Sequence, residues 1–294
     1  MMNLFHAAVP ALLLMTGPQN TPRQNLANRH TVGVNIEAIP GDAKTVHVTL
    51  WSSSDGFPFQ PLKNAVVATQ VIEVPAIENG KEPSPGQSTV KLAFDGVLEG
   101  SDYALTAWCD MDGGKSLDLD YQGKPLEPFG SSARTRGWST FRASRFSVLK
   151  DVTRSVVLGK PRETKDCLDL TVTASRAERI KGSMCFVLWS DGGGFPIDLK
   201  GKGVVATQRV EVNRSVVTAG GEVKALFRAV PRGTYAVTVF HDLDGDGKVD
   251  RNFFGKPTEP VGLSKNPPRR PARPEFKPSA VSLAQDTDLR VNIR

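Results

Sequence analysis

The chain has 294 residues, 39% of them hydrophobic and 23% charged, and a formal net charge of +6. This length suits two domains of ordinary size, and the balance of apolar and charged residues excludes wholesale disorder. With 27 glycines and 21 prolines the chain favours many turns over long helices, and no internal run approaches the roughly 20 apolar residues of a membrane helix.

At the N-terminus, Leu4-Phe5 and Ala7 to Met15 form a short apolar segment followed by Thr16-Gly17-Pro18-Gln19-Asn20. Its length fits a secretory signal, although no Lys or Arg precedes it and Pro10 interrupts it. Residues 1–27 are expected to be a signal peptide and disordered lead, which places the protein in the periplasm, at the cell surface or outside the cell. No Cys follows the segment, so no lipid anchor is expected there.

An internal repeat organises the rest. Leu50-Trp51-Ser52, Gly56-Phe57-Pro58 and Val66-Val67-Ala68-Thr69-Gln70 recur as Leu188-Trp189-Ser190, Gly194-Phe195-Pro196 and Val204-Val205-Ala206-Thr207-Gln208. Further on the spacing shortens by six residues: Tyr103 matches Tyr235, Asp110 matches Asp242, and Gly123-Lys124-Pro125 matches Gly255-Lys256-Pro257. The first copy therefore carries an insert around Ala76 to Gly86, whose Pro and Gly mark a surface loop. Residues 28–160 form a degenerate first repeat and 161–294 a second, with the boundary near Gly159-Lys160-Pro161-Arg162.

In the second copy apolar residues alternate at Leu168, Leu170, Val172 and Ala174, at Val223, Ala225 and Phe227, and at Leu289, Val291 and Ile293. Met184 to Trp189, Val204 to Val212, Thr234 to Asp242 and Ala280 to Leu283 add β-branched or aromatic runs. About seven strands per copy, with no helical periodicity, predict an all-β chain of two tandem β-sandwiches, transthyretin-like or immunoglobulin-like in strand order. A hairpin turning near Glu178-Arg179 would set Cys167 and Cys185 about five residues out of register, on the order of 16 Å and beyond disulfide reach. Free, mostly buried thiols are expected.

The strand from Thr234 runs into Asp242-Leu243-Asp244-Gly245-Asp246-Gly247-Lys248-Val249-Asp250. Calcium takes six to eight oxygen ligands. Asp242, Asp244 and Asp246 stand at loop positions one, three and five, Gly247 supplies the turn, the Lys248 carbonyl falls at position seven and Asp250 at position nine. Phe253 replaces the bidentate Glu of an EF-hand, and Glu259 is the candidate to complete the shell. One weak calcium site is expected, roughly in the 10⁻⁴–10⁻³ M range of extracellular modules. The first copy reads Asp110-Met111-Asp112-Gly113-Gly114-Lys115-Ser116-Leu117-Asp118. There Gly114 replaces the position-five carboxylate and Lys115 the turn glycine, so no strong site is expected. Cys109 stands where the second copy has His241.

The run Gly233-Thr234-Tyr235-Ala236-Val237, His241-Asp242, Asp244-Gly245-Asp246-Gly247, Asp250, Phe254-Gly255-Lys256-Pro257, Glu259, Gly262 and Ser264 resembles a bacterial domain-of-unknown-function family, DUF2141. The first copy keeps Tyr103, Asp110, Asp112, Gly123, Pro125, Glu127 and Gly130. The resemblance implies exported sandwich domains and no defined activity.

His241 beside Asp242 reads as structural, because no second His or thiolate lies at ligand spacing. Asp191-Gly192-Gly193-Gly194 precedes no helix, so a loose turn fits it better than a phosphate cradle. Trp51, Phe57, Trp189 and Phe195 form either a shared core or a carbohydrate-binding face. The basic stretch Lys265 to Pro274 lacks the aromatics that stack bases, and no nucleic-acid partner is expected. The leading expectation is an exported, non-catalytic structural or interaction module with a calcium-stabilised second domain, its partner unknown and cell-envelope glycan or protein the candidates. The alternatives are a carbohydrate- or small-ligand-binding module and, behind it, a metal-dependent hydrolase.

Overall fold

The computed structural model describes residues 28–74, 89–133, 139–161, 163–175, 180–268 and 274–294. The expected signal segment, the Ala76–Gly86 insert, the turn at Glu178-Arg179 and residues 269–273 of the basic stretch lie outside the described residues.

Two β-sandwiches repeat one strand order. The first runs β1 (Arg29–Glu37), β2 (Thr45–Trp51), β3 (Val66–Glu73), β4 (Val90–Leu98), β5 (Gly100–Asp110), β6 (Phe129–Ser131), α1 (Phe141–Ser144), β7 (Phe146–Val148) and β8 (Val152–Val157). The second runs β9 (Cys167–Ser175), β10 (Ser183–Trp189), β11 (Val204–Glu211), β12 (Val223–Pro231), β13 (Gly233–Asp242), β14 (Val261–Leu263), α2 (Phe276–Ser279), β15 (Val281–Leu283) and β16 (Thr287–Asn292). In each unit a three-stranded sheet (β4-β1-β8 or β12-β9-β16) accompanies a five-stranded one. The larger sheets are ordered β3-β2-β5-β6 with β7 also on β5, and β11-β10-β13-β14 with β15 also on β13. The last strands, β8 and β16, pair parallel to β1 and β9. The all-β sandwich expectation holds, with eight strands per unit among the described residues. No helix among the described residues is long and apolar enough to cross a membrane.

Period-two alternation puts one face of each strand in the core. Val32, Val34 and Ile36 pack with Val46, Val48 and Leu50 in the first unit, and Leu170, Val172 and Ala174 with Met184, Phe186 and Leu188 in the second. Strand β10 is buried on both faces. Its Cys185, Val187 and Trp189 join a second cluster with Phe195 and Phe240, against which Phe276 of α2 packs. A central strand covered on both sides needs a continuous apolar run, as this one has.

The repeated words of the sequence are repeated hydrogen bonds. Trp51 Nε1 donates to Thr106 Oγ1 at 2.8 Å, and Trp189 Nε1 to Thr238 Oγ1 at 3.1 Å. Gln70 Nε2 donates to the Ala93 carbonyl at 2.7 Å and Gln208 Nε2 to the Leu226 carbonyl at 2.6 Å, tying the edge strand of one sheet to the edge strand of the other. An edge so occupied is a poorer template for foreign strands. Tyr103 and Tyr235 hydroxyls donate to the Leu98 and Pro231 carbonyls.

All three thiols are free, Cys109 and Cys185 buried and Cys167 half-buried. The hairpin assumed between the strands of Cys167 and Cys185 does not form: β9 and β10 belong to different sheets. Sheet separation, not register, keeps these cysteines from bridging. Burial pushes the Cys109 and Cys185 thiols up to about 12.

In each unit a glycine lets the two sheets approach closely. A Cβ on Gly262 would lie 2.6 Å from the Asn292 carbonyl oxygen and 2.8 Å from Val291 Cγ1, and one on Gly130 2.5 Å from the Val157 carbonyl oxygen. Gly262→Ala is therefore expected to destabilise the second unit by about 1–3 kcal/mol, the usual cost of overpacking. Urea unfolding measures this, and an unchanged midpoint would contradict the close approach.

Candidate metal centre

Strand β13 delivers Asp242 fully buried to the start of the Asp-rich loop. A buried carboxylate must be paired. Its Oδ1 accepts the Gly245 N–H at 2.8 Å and its Oδ2 the Gly247 N–H at 3.0 Å, which folds the loop back on itself. Gly247 takes φ 75°, a left-handed conformation that a Cβ resists. Around this anchor Asp244 Oδ1 accepts the Asp246 N–H at 3.1 Å, and Asp246 Oδ1 accepts the Lys248 N–H at 2.7 Å. Glu259, just before β14, accepts the Leu243 N–H at 2.8 Å and the Asp250 N–H at 3.1 Å, stapling both ends of the loop.

The predicted ligand carboxylates come together as two overlapping groups. Oxygens of Asp242, Asp244 and Asp246 lie within 4.8 Å of one another, and so do those of Asp244, Asp250 and Glu259. Calcium–oxygen distances of 2.3–2.6 Å place two ligands of one ion up to about 5 Å apart, so the spacing fits that cation. A carboxylate oxygen has two lone pairs, and one N–H partner leaves the other available. Lys248 shows a second role: its Nζ sits 3.2 Å from Asp246 Oδ2. Hydrogen bonds from the Lys248 backbone, then from its side chain, hold the Asp246 carboxyl below the usual carboxylate range. Burial pushes Glu259 up, against the effect of its two backbone donors.

Sequence reasoning missed Arg209. From β11 its Nη1 lies 3.2 Å from Asp242 Oδ2, and its Nε donates to Ser183 Oγ at 2.8 Å. The one clue was a break in the repeat, since the first copy has Val71 there. The first loop, where no strong site is expected, keeps the same turn. Asp110 accepts the Gly113 and Lys115 N–H groups at 2.6 and 3.0 Å, and Lys115 takes φ 58° in the place of Gly247. Oxygens of Asp110, Asp112 and Glu127 lie within 4.8 Å of one another. Burial acts to raise Asp110, but the Gly113 and Lys115 donors carry it below the usual range. Here the added cation is Lys44, whose Nζ donates to the Asp112 carbonyl.

His241 is buried, with Nε2 2.8 Å from the Lys181 carbonyl, and it joins none of the carboxylate groups. Trp51 and Trp189 are buried and meet Phe57 and Phe195 edge-to-face, with Phe141 and Phe276 behind. They build cores, not an open carbohydrate-binding face. At Asp191-Gly192-Gly193-Gly194 the Asp191 carboxylate accepts the Gly193 N–H at 2.6 Å, closing a turn.

With chelator present, Arg209→Ala is expected to cost on the order of 1–3 kcal/mol. It strips a partner from a buried carboxylate, but the guanidinium itself is partly solvated. Urea unfolding tests this, and an effect within a few tenths of a kcal/mol would mean that the two N–H donors suffice.

The family model described as an uncharacterized protein conserved in bacteria (DUF2141) matches residues 34–156 and again 172–291. No curated protein matches the sequence. Among solved structures the chain is similar to the fimbrial anchor protein Mfa2 from Porphyromonas gingivalis, at 11% identity over 90% of this chain and 91% of that one, with a TM-score of 0.26. It is also similar to a mutant of the shaft pilin SpaA from Lactobacillus rhamnosus GG, at 11% identity over 91% and 98% of the chains, with a TM-score of 0.23. The matched segments span most of both sandwiches, and the chain belongs to the DUF2141 family as two tandem copies.

Proposed function

We propose that the protein is an exported, non-catalytic structural or interaction module whose second domain is stabilised by one calcium ion. The observation that carries the metal reading is the pair of carboxylate groups sharing Asp244. Asp242, Asp244, Asp246 and Asp250 would supply side-chain oxygens, Lys248 its carbonyl, and Glu259 the carboxylate that an EF-hand takes from its twelfth position. The ion would relieve the mutual repulsion of these groups and bind the folded state alone. The non-catalytic part is supported by two protonated thiols at about 12, which are poor nucleophiles. It is supported too by a buried His241 whose Nε2 is committed to a backbone carbonyl.

Thermal unfolding of the full chain in calcium and in chelator is the test. At 10–100 times Kd, calcium adds about 1.4–2.7 kcal/mol, a rise of several degrees in Tm. In Asp244→Asn, which removes a carboxylate from both groups, the rise should shrink to under about one degree by the same linkage. Equal Tm values for the wild-type protein in calcium and chelator would refute the metal reading.

The effect should also depend on pH. Calcium needs Glu259 ionised, and burial places its pKa above the ordinary carboxylate value. Protons therefore compete with the ion, and the calcium-dependent rise is fully present above the raised pKa and lost as pH falls through it. Loss of the rise only well below the ordinary range would take Glu259 out of the ligand set.

A further inference from the structure

The turn after each Asp-rich loop is built alike in both units. In the first, the Asp120 carboxylate accepts the Gln122 and Lys124 N–H groups at 2.8 and 2.9 Å, and Gly123 N–H reaches the Asp120 carbonyl at 2.9 Å. In the second, the Asn252 side chain accepts the Phe254 and Lys256 N–H groups at 3.0 and 3.1 Å, and Gly255 N–H reaches the Asn252 carbonyl at 2.9 Å. The two tips end in different surroundings. Tyr121 packs against the core of the second sandwich, its N–H donates to the Arg228 carbonyl at 2.8 Å, and Asp118 pairs with the Arg228 guanidinium. Phe253 and Phe254 lie 97% and 82% exposed, touching each other edge-to-face at 5.6 Å. Two adjacent rings held in water on an ordered turn mark a contact surface, since scattered single aromatics would carry no such meaning.

The surface that receives Tyr121 has a counterpart at the other end of the molecule. It lies where β12 bulges, at Arg228 and the left-handed Ala229 (φ 52°), followed by Arg232. Leu170 stands opposite Phe227 and Leu168 opposite Val230, as Val32 stands opposite Phe94 and His30 opposite Val97. Asp95, the left-handed Gly96 (φ 69°) and Glu99 thus occupy the places of Arg228, Ala229 and Arg232. Beside them Leu98 and Leu149 are 45% and 63% exposed.

The net charges at the two ends are exchanged. Inside the molecule a tip with Asp118, Asp120 and Lys124 meets an end with Arg228 and Arg232. At the far ends a tip with Asp250, Arg251 and Lys256 faces the solvent, and the matching end offers Asp95 and Glu99. Thr31 Oγ1 donates to Asp95 and Asn28 Nδ2 to Glu99, and His30 Nε2 lies 3.7 Å from the Glu99 carboxylate. Asp250 keeps the position of Asp118, and Arg29, whose Nη1 donates to the Gly96 carbonyl at 2.7 Å, stands ready beside Asp95 to meet it.

We propose that the Phe253–Phe254 tip docks on the β1–β4 end of the first sandwich of a second copy of this chain, repeating between molecules the joint made within one. A head-to-tail contact of this kind does not close on itself and builds open chains. The inference names the partner for the interaction role proposed above and rests on that part of the reading, independently of calcium.

Sedimentation velocity of the full chain over a concentration series, in chelator and again in calcium, tests it. The weight-average mass should rise with concentration for the wild-type protein. The double variant Phe253→Ser/Phe254→Ser should stay at the monomer mass with an unchanged Tm, because both rings are exposed. Arg251→Glu and Glu99→Lys should each weaken association about tenfold, as expected for opposed charges at a contact, and together restore most of it. A wild-type protein that is monomeric throughout, association that survives loss of both rings, or a monomer that instead binds anionic phosphatidylserine vesicles through the tip would overturn the proposal. Failure here alongside a persistent calcium-dependent Tm rise would leave the metal reading intact, and the reverse pattern would remove the metal alone.

Discussion

A carboxylate buried at the end of a central strand sets the shape of each sandwich tip. Asp242 and Asp110 are both almost wholly removed from water, where an unpaired charge is prohibitive. Each is paired by two backbone N–H groups from three and five residues further along, and that requirement alone turns the chain back on itself. Glu259 and Glu127 then bind the N–H groups at both ends of the turn, two bonds each. Loop geometry is thus a property of hydrogen-bonded carboxylates, and a cation would use a cage that the backbone has already built.

The first unit bears this out. Lys115 adopts φ 58°, a conformation its Cβ disfavours, because the N–H it presents to Asp110 is worth more than the strain. The two aspartates that this loop keeps converge there with Glu127. Replacing side chains at loop positions five and six removed a ligand and a glycine but left the two donors that define the turn.

What the sequence makes legible follows from periodicity and repetition. Alternation marks the long strands, and the duplicated Trp, Gln and Tyr positions turn out to be duplicated hydrogen bonds to Thr, to an edge carbonyl and to a corner carbonyl. Strands β6 and β14 and helices α1 and α2 have three or four residues each, too few to express a period. Sheet membership is equally hidden, because β9 and β10 are consecutive in sequence yet lie in different sheets. Arg209 reaches Asp242 from an edge strand, and nothing in the local pattern of either segment encodes that contact.

The two units answer one electrostatic problem in different ways. In the first, Lys44 and Lys115 stand in or on the loop, and Asp118 takes Arg228 from the neighbouring sandwich. Two placed cations, Lys44 and Arg228, so stand at a loop of four carboxylates: Asp110, Asp112, Asp118 and Glu127. In the second, Arg209 and Lys248 face five: Asp242, Asp244, Asp246, Asp250 and Glu259. Burial raises Glu259 and Glu127 alike, so it does not distinguish the two loops. The loop with the larger unbalanced charge is also the one whose Asp118 counterpart, Asp250, pairs with no arginine among the described residues. A cation bound in the loop, or an arginine brought to Asp250 by a second protein surface, would each lessen that deficit.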